Sequence, residues 1–146
     1  MAAAGLQTQD EILNAYKQLS IGERLTLLWL VYQRVGNSIA PDIPDTAYSQ
    51  VGYRLCQQVE QLDQNTQYEV MQDMLAGHQT RFSNEYSGLK GNHRLAFWYD
   101  VAKSLQRKNI APVSTEGSDE LRSLLQSIES LDAETQVELL RQMVAC

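Results

Sequence analysis

The sequence predicts an all-α protein of about eight helices, built from two related halves. Three observations support this prediction. Helix-capping motifs stand before apolar residues at helical spacing in several places. No hairpin-type turn dipeptide lies between alternating β-branched runs, so strands are not predicted. Finally, a segment that begins at residue 59 resembles one that begins at residue 128.

Two capping boxes open the first helices. In residues 8–11 (TQDE) the threonine hydroxyl can meet an unpaired backbone amide while the glutamate reaches back to the cap. Residues 20–23 (SIGE) repeat the pattern and predict a helix that ends at about Gly36. Pro41 and Pro44 then predict a loop.

The later elements are predicted by the same signals. Apolar residues at helical spacing predict a helix over about residues 46–62, after which Asp63 is the N-cap of a helix that ends near Gly77. In the second half we predict helices over about residues 78–87 and 92–107, a loop at Pro112, an N-cap at Ser118, and helices over about 118–131 and 133–146.

An internal duplication is visible in the sequence. Residues 59–76 (VEQLDQNTQYEVMQDMLA) align with residues 128–145 (IESLDAETQVELLRQMVA) at an offset of 128 − 59 = 69. Chance similarity between helices rich in leucine and glutamine could explain one such block. We interpret the similarity as a true duplication, since it continues upstream, and predict repeats over roughly residues 20–77 and 90–146 of a single domain spanning 1–146.

The upstream matches include the two tryptophans of the chain. Trp29 pairs with Trp98 at an offset of 69, and an Ile-Ala-Pro segment recurs at 39–41 and 110–112. Two amphipathic units of this kind would each leave an apolar face open, and pairing them would bury both. Ligand sites favour such interfaces between bundles.

Composition limits the function classes. The 146 residues are 43% hydrophobic and 21% charged, which is ordinary for a globular protein. A net charge of −6 and a pI near 4.8 disfavour nucleic acid as a partner. No apolar run is long enough to span a membrane and no export signal is present, and Cys56 and Cys146 form no disulfide framework, so we expect a cytoplasmic protein.

Residues that could carry catalysis are sparse. His78 and His93 are the two histidines, and neither forms an HxxxH or ExxH pair on one helix face, so no metal site is predicted. The glutamates lie on polar, glutamine-rich faces, which is typical of solvated helix surface. We expect that the protein is not an enzyme; an enzyme acting on a lipid-like substrate is a remote alternative because no catalytic pair is visible.

Two aromatic helix faces remain to be explained. Leu25, Leu28, Trp29 and Tyr32 share one face, and the face that carries Trp98 is its counterpart in the second half. Large aromatics at helical spacing are most often simply core. The alternative is a long apolar slot between the halves, walled by aromatic rings that can stack on a conjugated ligand.

These same residues carry a family resemblance. Residues 19–32, residues 95–113 with the sequence LAFWYD near their start and IAPV at their end, and residues 132–143 resemble the N-terminal, carotenoid-binding domain of the cyanobacterial orange carotenoid protein. The resemblance covers the chain from about Tyr16 onward. It implies two interleaved four-helix bundles, and it makes the chain similar to the stand-alone helical carotenoid proteins.

The resemblance also implies a ligand site and a cofactor. The cofactor would be a keto-carotenoid of the canthaxanthin, echinenone or 3'-hydroxyechinenone type, and a chloride ion is a further implied ligand. The implied carotenoid-binding residues are Leu25, Leu28, Trp29, Tyr32, Met71, Leu95, Trp98, Tyr99, Ala102 and Val113.

Protein partners are implied in the same way. Arg141 and Asn92 match family residues at the boundary with a C-terminal α/β domain, and Arg141 matches an arginine that also contacts the antenna. The implied partners are the phycobilisome or a separate carotenoid carrier resembling the C-terminal domain, at a cytoplasmic location that includes the thylakoid surface.

The sequence departs from the family pattern at several positions. Gln72 replaces a small tunnel residue, Gly22 replaces a carboxylate, and residues 114–117 (STEG) lack the usual proline and tyrosine. Our first hypothesis is non-covalent keto-carotenoid binding for photoprotection, by quenching antenna excitation, quenching singlet oxygen or carrying pigment. The alternative is a pigment-free helical interaction module of the same fold.

Overall fold

A computed structural model describes residues 8–44, 47–108 and 119–145. Within these ranges there are eight α-helices, one short 3-10 helix at Ala40–Asp42 and no β-strand, as predicted. The predicted cap Ser118, the loop at Pro112, and Val113 lie outside the described residues. The helices are α1 (Gln9–Gln18), α2 (Ile21–Ile39), α3 (Gln50–Glu60), α4 (Gln64–Ala76), α5 (Arg81–Ser87), α6 (Gly91–Arg107), α7 (Asp119–Glu129) and α8 (Ala133–Ala145).

Side-chain caps start the helices where the sequence predicts them. The Thr8 and Ser20 capping boxes are both formed, with each hydroxyl 3.2 Å from a backbone amide three residues later. Asp63 accepts a hydrogen bond from the Thr66 amide at 2.9 Å at the start of α4. Gly77 ends α4 with φ = 74°, a conformation that glycine adopts without steric cost.

Three predicted boundaries differ from the structure by three or four residues. Helix α2 continues past Gly36 to Ile39, because Gly36 is buried in the helix and Pro41 enters only in the following 3-10 turn. Helix α3 begins at Gln50 rather than residue 46, where the Ser49 hydroxyl caps the Gly52 amide at 3.0 Å. Helix α5 begins at Arg81 rather than residue 78, because Thr80 is its cap.

The helices form two interleaved four-helix bundles. Helices α1, α2, α7 and α8 pack together in one bundle, and α3, α4, α5 and α6 pack in the other. Contacts of α2 with α4, of α6 with α8 and of α2 with α6 join the bundles. Each half of the chain therefore contributes helices to both bundles, and the apolar faces of α2 and α6 meet at the centre.

The two halves repeat the same local contacts. Arg24 lies over the ring of Tyr16 and donates to the carbonyl of Lys17, while Arg94 lies over Tyr86 and donates to the carbonyl of Ser87. The arginines, tyrosines and carbonyls each correspond at an offset of 70 residues.

Buried glutamines repeat in the same manner. Gln67 donates to the carbonyl of Val59 at 3.0 Å, and Gln136 donates to the carbonyl of Ile128 at 2.8 Å. Both correspondences, of the glutamines and of the carbonyls, have the offset of 69, and each glutamine ties the end of one helix to the next. These contacts agree with the duplication, whose boundaries stay a prediction.

Candidate functional site

A narrow apolar cavity lies between the two bundles. Helices α2 and α6 supply most of its wall, and α4 supplies one methionine. The side chains border about 270 Å³ of empty space, part of it continuous with solvent, and only about 10 Å³ is open to the centre of a water molecule. The lining residues are Leu25, Leu28, Trp29, Tyr32, Met71, Trp98, Val101 and Ala102.

Trp98 is held firmly by its surroundings. Its indole N–H donates to the Tyr86 hydroxyl at 2.8 Å, and that hydroxyl donates in turn to the carbonyl of Val144 at 2.8 Å. The ring also meets Phe97 edge to face, with 5.3 Å between centroids. The hydrogen-bond chain and the ring contacts fix the orientation of this wall of the cavity.

Trp29 is the counterpart of Trp98, but the two indole N–H groups differ in their hydrogen bonding. The Trp29 indole N–H is buried and makes no hydrogen bond with any residue that the structure describes. A buried unpaired donor of this kind costs about 1–3 kcal/mol. The two corresponding indoles therefore differ in whether a protein atom satisfies the N–H.

Tyr32 joins the two central helices. Its hydroxyl donates to the carbonyl of Leu95 at 3.1 Å, across from α2 to α6. Burial raises the pKa of Tyr32 well above its ordinary value, with smaller contributions from nearby tyrosines. The phenol is neutral at physiological pH and contributes an apolar ring to the cavity wall.

Most residues predicted from the sequence lie around this cavity, but two do not. Leu95 is buried and meets Tyr32 through its backbone, outside the cavity lining. Tyr99 is half-buried and packs beside Gly36, with the Lys103 ammonium 5.9 Å from its ring centroid. The residues brought together are Leu25, Leu28, Trp29, Tyr32, Met71, Trp98 and Ala102.

Two residues of the site were missed in the sequence. Val101 lines the cavity, and its place three residues after Trp98 on α6 would have indicated this. Tyr86 anchors Trp98, and its correspondence with Tyr16 at the repeat offset could have singled it out. Gln72, expected in the tunnel wall, is half-buried and is not among the residues that line the cavity.

The predicted partner-binding pair forms a second feature. Arg141 donates to the side chain of Asn92 at 3.3 Å and pairs with Glu138 on its own helix. Both predicted residues line a surface recess that also includes Asp42 and Pro44. Arg141 is half-exposed there, so part of its guanidinium faces solvent.

No group of three or more His, Cys, Asp or Glu side chains in the described ranges is placed to hold a metal ion. Among the same residues, no helix combines the length and the apolar character that crossing a bilayer requires. The cavity offers aromatic and aliphatic walls, a set suited to a flat or rod-shaped apolar ligand.

Comparisons with known proteins agree on one family. The model of the family described as "Orange carotenoid protein, N-terminal" matches residues 3–146. An "Orange carotenoid-binding domain-containing protein" of Nostoc sp. strain PCC 7120 is 32% identical over 148 aligned positions, which cover 98% of this chain and 86% of that protein.

Solved structures show the same relationship. The Anabaena (Nostoc) sp. PCC 7120 Red Carotenoid Protein binding canthaxanthin is 26% identical, with a TM-score of 0.78 over 95% of this chain and 96% of that one. Fremyella diplosiphon OCP1 is also 26% identical, with a TM-score of 0.79. In that case the match covers 96% of this chain but only 44% of the other.

Proposed function

Because the chain belongs to the orange carotenoid protein N-terminal family, we propose that it binds a keto-carotenoid non-covalently in the cavity between its bundles. The observation that carries the proposal is the cavity wall, in which two tryptophan helices face each other across aliphatic side chains. A related structure of the same fold binds canthaxanthin, a pigment with this chemistry.

The residues present fit such a ligand. A conjugated chain needs apolar and aromatic walls, which the leucines, Met71 and the two indoles supply. A ring carbonyl needs a donor, and the unpaired N–H of Trp29 is a donor without another partner in the described structure. We therefore assign Trp29 the role of orienting a keto end and Trp98 that of a fixed stacking surface.

The protein's own contribution is shape, orientation and exclusion of water. When bound, the pigment supplies a short-lived polyene excited state that can accept excitation or quench singlet oxygen. Photoprotection is the role that follows, either by quenching of an antenna, by quenching of singlet oxygen or by carriage of pigment.

The half-exposed Arg141 beside Asn92 is the surface that we assign to a protein partner, either the phycobilisome or a carrier resembling the family's C-terminal domain.

A second candidate function has a specific observation in its favour. The space open to the centre of a water molecule is only about 10 Å³, so a rod-shaped ligand requires the walls to separate. A pigment-free interaction module would keep a closed interior of this kind. Under that alternative the two tryptophans serve only as core residues.

Co-expression with the enzymes of canthaxanthin synthesis tests the proposal. We expect a purified protein with a visible carotenoid spectrum that is shifted from that of free pigment. Ala102→Leu places three further carbons in the cavity, and we expect it to lower pigment occupancy at least ten-fold. Ala76→Leu, at the end of α4 and outside the cavity lining, is the matched control and keeps full occupancy.

The result that would overturn the proposal is a colourless, folded wild-type protein after co-expression. A coloured Ala102→Leu variant with unchanged occupancy would place the pigment elsewhere and contradict the assigned site. Helical circular dichroism of each variant verifies folding before occupancy is compared.

A further inference from the structure

An exposed apolar cluster lies at the start of α3, away from the cavity between the bundles. Tyr48, Val51 and Tyr53 are 42%, 50% and 60% exposed, and they are the large hydrophobic side chains with substantial exposure among the described residues. All three fall within six consecutive positions of the chain. Contiguous exposed apolar side chains of this kind mark interaction surfaces.

A recess opens beside this cluster. It lies between the start of α3 and one face of α6, and about 300 Å³ of it is open to the centre of a water molecule. Tyr48 and Tyr53 line it from one side, and His93, Phe97 and Asp100 line it from α6. The face of α6 used here is not the one that carries Trp98 and Ala102 to the inter-bundle cavity.

Asp100 gives the recess its charge. The carboxylate is half-buried, and no hydrogen bond or ion pair with a described residue engages it. Burial raises the pKa of Asp100 to about 6. The positive charge of Arg107 lowers this pKa, and the negative charge of Glu60 raises it to a smaller extent. At pH 7 the group is mainly ionised, and it is an anion in a largely apolar recess.

We propose that this recess receives the cationic end of an arginine or lysine side chain from a partner protein. An unpaired carboxylate beside tyrosine faces is the combination that attracts an organic cation, through charge and through the ring quadrupoles. The exposed Tyr48 and Tyr53 line the recess, and tyrosine and arginine are residue types enriched at protein interfaces.

The charges around the site support a cation over an anion. The protein carries a net charge of −6, so a basic partner is attracted over a distance as well as at contact. Arg107 exerts a Coulombic effect on Asp100 but makes no ion pair with it in the described structure, so the carboxylate stays available. This inference stands on residues that the pigment proposal does not use.

Titration of the protein with small probes, followed by backbone amide NMR, tests the proposal. Nα-acetyl-arginine amide and Nα-acetyl-lysine amide carry the charge, and Nα-acetyl-citrulline amide is the neutral isostere of the first. We expect saturable shifts at Tyr48, Tyr53 and Ala96 with the arginine probe, and at least ten-fold weaker binding of the citrulline probe.

Variants separate charge recognition from adventitious binding. Asp100→Asn should weaken binding of the arginine probe at least ten-fold. Tyr53→Ala, at an exposed position, should weaken binding of the same probe about three-fold. Asp119→Asn removes an exposed carboxylate with no part in the recess and should change nothing.

Several outcomes overturn the proposal. These are equal binding of the arginine and citrulline probes, absence of shifts at these residues up to the solubility limit, or full binding by Asp100→Asn. Tighter binding of choline than of either amino-acid probe would also contradict it, because it would assign the recess to a free quaternary amine.

Discussion

The two tryptophans occupy corresponding positions but differ in one hydrogen bond. The Trp98 N–H is satisfied by Tyr86, and the Trp29 N–H is buried without a partner in the described structure. The duplication has therefore diverged at this pair, with one indole fixed by the protein and the other left with an open donor. We relate that difference to the ligand proposed above.

Substitution of each tryptophan by phenylalanine measures the difference. Both changes remove similar ring volume, but only Trp98→Phe removes a protein hydrogen bond, while Trp29→Phe removes an unpaired buried donor. We expect Trp98→Phe to lower the free energy of unfolding by about 1–2 kcal/mol more than Trp29→Phe. Urea unfolding of the pigment-free protein, followed by circular dichroism, gives both values; equal losses would contradict the assignment.

Asp100 makes stability depend on pH in a definite direction. Its pKa is raised by burial to about 6 in the folded state, from 3.8 as the ordinary value. The folded state thus binds the proton more tightly than the unfolded state. Protonation of Asp100 therefore adds to the free energy of unfolding, and this stabilisation is fully present below about pH 4 and is lost as pH rises through 6.

Asp100→Asn removes that dependence. We expect the stability of the variant relative to wild type to rise between pH 4 and pH 7, because wild type alone loses stability over that window. Urea midpoints at several pH values provide the measurement, with Asp119→Asn as the exposed control. A difference that stays flat with pH would show that Asp100 has an ordinary pKa.

At the residue scale, helical spacing predicted the cavity wall well. Leu25, Leu28, Trp29 and Tyr32 were selected because they share a face of one helix, and they line the cavity together. Tyr99 was assigned to the same helix face as Trp98, but adjacent helical residues point about 100° apart, and it packs beside Gly36 instead. The bond between Trp98 and Tyr86 joins two helices, and spacing along one helix carries no information about it.

At the scale of elements, the connections between α3 and α4 and between α7 and α8 are built alike. Asp63 and Asp132 cap the second helix of each pair, and their pKa values are lowered by the hydrogen bonds they accept from Thr66 and Thr135. A buried glutamine one turn later donates back to the preceding helix. Local caps of this kind are why the helices could be predicted from the sequence.

Substitution of Gln136 tests how much the connection between α7 and α8 contributes to stability. Gln136→Leu leaves the buried carbonyl of Ile128 without this donor, and we expect a loss of about 1–3 kcal/mol in the free energy of unfolding. Gln67→Leu should cost less, because the Gln67 side-chain oxygen is buried and unpaired in the described structure. Gln126→Leu, at an exposed position of α7, serves as the control and should stay within about 0.5 kcal/mol of wild type.

The predicted boundaries failed where a tertiary contact or an unrecognised cap decides them. Gly36 suggested a helix end, yet it is buried beside Tyr99 and the helix continues to Ile39. Ser49 and Thr80 cap α3 and α5 without the glutamate of a capping box, so the sequence signal was weak.

At the scale of the whole molecule, the spacing of apolar residues does not predict which helices pack together in each bundle. A bundle of four consecutive helices and an interleaved pair of bundles would bury the same apolar faces, so amphipathic patterns do not distinguish them. The resemblance to a known family supplied the interleaved arrangement, and the contacts of α1 and α2 with α7 and α8 confirm it.

Pigment binding should stabilise the molecule as a whole if the proposed function is right. A ligand held only by the folded state at about 100 times its Kd adds about 2.7 kcal/mol to the free energy of unfolding. We expect the coloured protein to melt several degrees above its pigment-free form, as measured by circular dichroism. Identical melting temperatures would mean that the pigment does not depend on the folded inter-bundle site.

The interleaving also imposes an order on biosynthesis. Helices α3–α6 are contiguous, so they can assemble as soon as they leave the ribosome, whereas α1 and α2 pack against α7 and α8, which are translated last. The Trp29 face of α2 meets α4 and α6 and can be covered once those helices are made. The faces of α1 and α2 that contact α7 and α8 stay open for longer. That interval gives a chaperone its best access to the surfaces of α1 and α2 that α7 and α8 later cover.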